Sequence, residues 1–116
     1  MAYVPERGDI VWLTFGPQAG PEQAGRRPAL VVSPQAYNTR VGLALFCPIT
    51  SKSKGYPFEV RLPEDLTVSG VILSDQVRSL DWRACRAELV GKLPALAIVE
   101  MTQKLWALIG DESESS

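Results

Sequence analysis

The sequence predicts a mainly β (α+β) fold: a small antiparallel barrel capped by one C-terminal helix. Two observations carry that prediction. Short runs rich in β-branched and aromatic residues recur along the first ninety residues, separated by Gly, Pro, Asn and Ser turn signals. Only the segment from Pro94 to Ile109 shows a sustained helical period, with Ile98, Met101, Leu105 and Leu108 spaced by three and four residues.

The first strand is read over Gly8-Asp9-Ile10-Val11-Trp12-Leu13-Thr14-Phe15. An irregular loop follows from Phe15 to Gly25, marked by glycines and prolines and ending in Arg26-Arg27 at the mouth of the next strand. That strand, Pro28 to Ser33, is apolar on both faces and therefore central. Ser33-Pro34-Gln35-Ala36-Tyr37-Asn38 reads as a turn or a single helical turn, with Ser33 as N-cap and Pro34 at the first helical position. Val41 to Ile49 is a second strand apolar on both faces, and Pro48 places its end at an edge or bulge. Thr50 to Gly55 is a polar, cationic loop. Pro57 to Leu62 alternates, with Phe58, Val60 and Leu62 inward. Gly70 to Ser74 is a short strand leading into Asp75 to Arg83, and Cys85 to Val90 extends as a last strand before Gly91-Lys92-Leu93. Pro94 suits the first turn of the helix and Gly110 its end. Trp12 and Trp106 are read as core.

An antiparallel sheet in a small monomer usually keeps one polar face. Two strands apolar on both faces therefore leave two readings: a face covered by a second subunit, or a strand pair wholly internal beneath the helix.

With 116 residues the chain is of single-domain length, and its hydrophobic (46%) and charged (22%) fractions are those of a globular protein. The expected division is a domain over residues 1–110 and an acidic, disordered tail over 111–116. The net charge is −1, and setting aside the three acids of that tail leaves +2, so a nucleic-acid site would have to be a local basic patch. No apolar run reaches the roughly 18 residues a membrane span needs, and no signal peptide opens the chain, so a cytoplasmic location without membrane association is expected. Cys47 and Cys85 are expected to be reduced. There is no histidine, which removes histidine triads, histidine general bases and most zinc sites; no metal or other cofactor is expected.

Several blocks carry a resemblance. Gly8-Asp9-Ile10-Val11-Trp12, Glu22 to Pro34, Tyr37-Asn38, Ser53-Lys54-Gly55-Tyr56-Pro57-Phe58-Glu59-Val60 and Asp75 to Arg83 resemble, in order, the MazF/PemK/Kid family of toxins from type II toxin–antitoxin modules. The resemblance implies a plasmid-maintenance-type barrel related to SH3 barrels, a homodimer, and a metal-independent endoribonuclease that cuts single-stranded RNA, usually messenger RNA, at short sequences and so arrests growth. It also implies a cognate MazE-like antitoxin whose partly disordered arm covers the site.

Metal-free RNA cleavage requires help in deprotonating the 2′-hydroxyl, stabilising phosphoryl charge and assisting the leaving 5′-oxygen. Without histidine, these tasks fall to guanidinium, hydroxyl and carboxylate groups. The family pattern places its central catalytic arginine at Arg27 and a catalytic hydroxyl at Thr50. Glu22 is either a base or the group that orients Arg27. Arg26, where some relatives carry histidine, reads as a phosphate contact, as do Ser51, Lys52, Lys54 and Arg86. Arg78 contacts RNA, while Asp75 and Gln76 shape the turn before it. Tyr56 and Trp82 are candidates for base stacking, against a core role for each. Two other readings remain: a non-enzymatic toxin of the CcdB kind that binds a topoisomerase, and an inactive relative that binds only RNA or antitoxin.

Overall fold

A computed structural model of the protein describes residues 3–20 and 24–110; the expected acidic tail lies outside them. Seven strands and two helices follow in the order β1 (Asp9–Phe15), β2 (Gly25–Val31), α1 (Gln35–Val41), β3 (Ala44–Thr50), β4 (Glu59–Arg61), β5 (Val71–Leu73), β6 (Arg78–Leu80), β7 (Glu88–Lys92) and α2 (Ala95–Ile109), with a 3₁₀ turn at Pro17–Ala19. All pairings are antiparallel, in the spatial order β4-β5-β3-β2-β1-β7, with β6 on the flank of β3. The curled sheet is an open half-barrel, closed on one side by α2.

The pleat explains the two-sided apolar strands. On one face Ile10, Leu30, Cys47 and Ile49 pack with Val60 and Ile72 beneath Met101 and Leu105 of α2. On the other, Val11, Leu13, Ala29, Val31 and Phe46 pack around Trp82, with Tyr3 and Val4 against them. The chain's own segments thus cover both faces: the helix covers one, the 81–87 turn and the N-terminal segment the other.

Three local expectations are corrected. β2 begins at Gly25, so Arg26 and Arg27 lie within the strand, where they pair with Thr14 and Leu13. The segment after Ser33 is a helix of seven residues; Pro34 takes the N-cap position, and the Ser33 hydroxyl turns inward to donate to Asn38 Oδ1 (2.5 Å) and accept from Leu45 N–H (2.8 Å). Asn38, fully buried, donates to the carbonyls of Pro5 (2.8 Å) and Ser33 (3.1 Å), so this helix is held by buried polar bonds. β7 runs on through Lys92, because Lys92 Nζ reaches Asp9 Oδ1 (2.8 Å) on the neighbouring strand. Asp9 is itself buried, and its other oxygen accepts from the Tyr3 hydroxyl and Glu6 N–H.

Trp106 is not core: it is 57% exposed. Met101 and Leu105 define the buried stripe of α2, and a residue one position beyond Leu105 is rotated about 100° off it. Trp82 is core, its Nε1–H donating to the Asn38 carbonyl (3.0 Å), and offers no stacking face to a ligand. Both cysteines are free thiols; burial pushes Cys47 up to about 12, away from thiolate reactivity. Among the described residues no helix is long and apolar enough to cross a membrane.

Candidate active site

The sheet splits where the site lies. β2 and β3 pair at Val31↔Phe46, Leu30↔Cys47 and Ala29↔Pro48, and there the ladder stops. Beyond it, β2 continues beside β1 as far as Gly25↔Phe15, while Ile49 and Thr50 pair with Ile72 and Val71 of β5. A physical cause is in the sequence: with Val32 N–H bonded to the Leu45 carbonyl, the alternation of the ladder makes Pro28 across from Ile49 the next hydrogen-bonded pair, and Pro28 carries no N–H to donate. Continuing the register by two residues would set Arg27 across from Thr50. The two strands part instead, leaving those residues on opposite lips of a cleft.

That cleft is a groove of about 720 Å³. One lip is Arg26, Arg27 and Pro28 of β2; the other is Pro48 to Thr50 with Ser51 and Lys52 of the following loop. Trp12, Leu13 and Phe15 of β1, Phe46, Leu73 and Leu80 supply apolar walls, while Thr67, Ser69 and Gln76 add neutral polar groups. Four cationic side chains line the groove, Arg26, Arg27, Lys52 and Arg78, and among the described residues no carboxylate does. In a chain whose net charge is −1 this concentration of positive charge is local, and it suits a polyanion.

Individual groups are held in specific ways. Thr50 Oγ1 accepts Lys52 N–H (3.2 Å), which leaves the hydroxyl hydrogen to point elsewhere. Behind Thr50 stands Gly70, with φ +121°; a Cβ there would come within 2.1 Å of the Thr50 carbonyl oxygen. Only glycine lets β5 approach this closely. Arg26 is ion-paired with Glu88 of β7 and lies over the Trp12 ring, 5.2 Å from its centroid. Strand alternation dictates that trio: Glu88 is opposite Trp12, and Trp12 and Arg26 share a face.

A model of the PemK-like, MazF-like toxin family of type II toxin–antitoxin systems matches residues 6–109. The endoribonuclease toxin MazF of Escherichia coli K12 is 46% identical over 108 residues, covering 93% of this chain and 96% of that one. A crystal structure of MazF from Deinococcus radiodurans superposes with a TM-score of 0.85 at 58% identity, covering 95% of this chain and all (100%) of that one. A MazE–MazF complex from the same organism gives 0.87 at 57% identity, over 93% and 98%. The chain belongs to the PemK/MazF toxin family.

In this toxin the sequence-predicted residues fall into three groups. Arg26, Arg27, Thr50, Ser51, Lys52 and Arg78 are brought together along the groove. Lys54, Tyr56 and Arg86 do not line it: Lys54 and the 60%-exposed Tyr56 sit on the outer part of the 51–57 loop, and Arg86 occupies the turn before β7. Arg86 has a left-handed backbone (φ 52°) in the turn where Cys85 offers its carbonyl to Thr14 N–H (2.7 Å). Glu22 lies outside the described residues. Sequence reasoning missed Thr67 and Ser69, which no motif marks; the Ser69-Gly70 pair was their one signal, since a glycine at a close backbone approach brings the preceding residues to the groove. Trp12, read as core, does pack against the core cluster, but it is only partly buried and its ring also lies beneath Arg26 at the groove wall.

Proposed function

We propose that this protein is the endoribonuclease toxin of a type II toxin–antitoxin pair, acting as a homodimer on single-stranded RNA and neutralised by a MazE-like antitoxin. The single observation that carries the reading is the groove with Arg27 on one lip and Thr50 on the other, lined by four cationic side chains and, among the described residues, by no carboxylate. The naming of the Escherichia coli relative as an endoribonuclease, and the MazE-bound Deinococcus relatives, support it.

The chemistry follows from the groups at hand. The ribose 2′-oxygen attacks the adjacent phosphorus, the bond to the 5′-oxygen breaks, and the products carry a 2′,3′-cyclic phosphate and a 5′-hydroxyl. The proton lost by the 2′-hydroxyl goes to a base or to water, and the leaving 5′-oxygen takes one up. Negative charge grows on the non-bridging oxygens along the way. The Arg27 guanidinium forks onto two of them, fixed in place by its strand rather than carried on a loop. Its high pKa suits it to charge stabilisation and not to proton donation. Thr50, whose Oγ1 is already engaged as an acceptor, donates its hydroxyl hydrogen to a phosphoryl oxygen or holds the 2′-hydroxyl. Glu22, five residues before Arg27 in the sequence, serves as base or orients Arg27. Arg26, Ser51, Lys52 and Arg78 hold the flanking backbone, with Lys54, Tyr56 and Arg86 as outlying contacts on a longer strand.

Purified protein is incubated with a mixed RNA pool in EDTA and the new 5′ ends are mapped. Discrete cuts bearing 5′-hydroxyls are expected, with Arg27→Ala slowing them by about 10²–10³, the usual cost of removing one transition-state charge partner. Cleavage that stops in chelator, or an undiminished R27A enzyme, overturns the reading.

A further inference from the structure

The loop after Thr50 is exposed throughout residues 51–57, yet its backbone is tied down by one side chain. The Glu59 carboxylate accepts three hydrogen bonds from it: Ser53 Oγ to Oε1 (2.7 Å), Lys54 N–H to Oε2 (2.9 Å) and Gly55 N–H to Oε1 (3.1 Å). Gly55, at φ +75°, makes the turn that lets two successive amides converge on one carboxylate. These bonds hold the Glu59 carboxyl below its ordinary range, the Ser53 hydroxyl first among them. Glu59 is in turn anchored. It opens β4 opposite Leu73, its N–H donates to the Tyr56 carbonyl (3.1 Å), and its own carbonyl accepts from Lys104 Nζ of α2 (2.8 Å). Lys104 is ion-paired with Glu100 one turn back (3.2 Å). At the other end of the loop, the Lys52 amide is bonded to Thr50. The groove-lining pair Ser51 and Lys52 is thus strung between two fixed points.

We propose that Glu59 is a positioning residue for RNA binding: it folds residues 53–55 back against β4 and so presents Ser51 and Lys52 to the groove in one preformed geometry. The inference rests on the proposed RNA function but concerns how the binding lip is built. Thr50 belongs to β3 and is backed by Gly70, so the clamp governs binding and leaves the chemistry at Arg27 and Thr50 alone. A preformed lip avoids the ordering cost that a free loop of seven residues would meet on binding.

Glu59→Gln keeps the side chain's size but removes its charge and one acceptor oxygen. Three measurements are made on the full chain: amide hydrogen exchange, the Kd for an RNA strand blocked against cleavage by 2′-deoxy substitution, and kcat and KM on the cleavable strand. In E59Q the Lys54 and Gly55 amides exchange faster while strand amides do not. Kd and KM rise about tenfold, the size of one charge-assisted hydrogen bond, and kcat stays within about twofold. Glu59→Asp, which retains charge at shorter reach, falls between the two. Unchanged exchange at Lys54 and Gly55, unchanged Kd despite faster exchange, or a kcat loss as large as the rise in KM each overturns the proposal. Failure of the wild type to cleave overturns the proposed function instead, and leaves the clamp to be judged by exchange and by Kd.

Discussion

Replacing Gly70 with alanine tests how Thr50 is held at the groove. The added Cβ would lie 2.1 Å from the Thr50 carbonyl oxygen, 2.8 Å from its carbonyl carbon and 3.0 Å from Ser51 Cα. All three are backbone atoms at the end of a strand, so no side chain can swing aside. Ordinary contact begins near 3.4 Å, and restoring it at the carbonyl oxygen asks the Thr50 backbone or β5 to retreat by about 1.3 Å. The backbone at φ +121° adds strain, because an alanine there occupies a region that glycine alone visits freely. Together these cost about 2–4 kcal/mol, or a fall in Tm of about 10–20 °C for a domain of this size. The effect on chemistry is separable from stability. A displacement near 1 Å of a group that must meet the reacting phosphate costs on the order of 10²-fold in kcat. The assay is cleavage of a short defined RNA at 25 °C, with circular dichroism and denaturant titration on the same sample to establish that the variant is folded. A folded G70A protein with wild-type kcat refutes the argument, as does one with unchanged Tm.

Two further predictions address charge. Glu88→Gln releases Arg26 from an exposed ion pair of small energetic worth, since both side chains are more than half exposed (51% and 65%). The variant is expected to bind RNA about 2–5-fold more tightly at low salt, with the gain vanishing as salt rises; weaker binding, read by titration at several salt concentrations, would show that Glu88 serves to aim Arg26. Lys92 has its pKa raised by its hydrogen bond to the buried Asp9, so the pair's contribution is fully present below Lys92's usual 10.5 and is lost as pH rises through the higher folded value. Lys92→Met is therefore expected to lower stability by about 1 kcal/mol or less at pH 8, with the difference from wild type narrowing as pH rises through the raised Lys92 value; a difference in denaturant midpoint that stays constant from pH 8 into strong alkali contradicts this.

The order of strands and the terminal helix could be read locally, because each depends on neighbours in sequence: the alternation of Phe58, Val60 and Leu62, or the three-and-four spacing of Met101 and Leu105. Even there, boundaries slipped where a partner strand decided them. Leu13 to Phe15 drew Gly25 to Arg27 into β2, and Asp9 drew Lys92 into β7. The Ser33 hydroxyl looked like a helix cap from its position and is instead bonded inside, since buried Asn38 lies within reach.

The site divides in the same way. Sequence alone determined which chemistry was open to the chain: no histidine, an arginine pair before an apolar strand, a hydroxyl at Thr50, and motifs shared with one toxin family. It also held a reason the sheet opens, in Pro28, although what that proline does follows only from its register. Tertiary structure decided the rest. It set Arg27 and Thr50 on facing lips, brought Thr67 and Ser69 to the groove, and placed Gly70 behind Thr50. It also folded the 51–57 loop onto Glu59 and turned Trp106 to the surface. The first three bring together segments far apart in the chain. A residue's own neighbours fix its conformation, but which strand it meets, and in what register, is fixed by how the two faces of the sheet are buried.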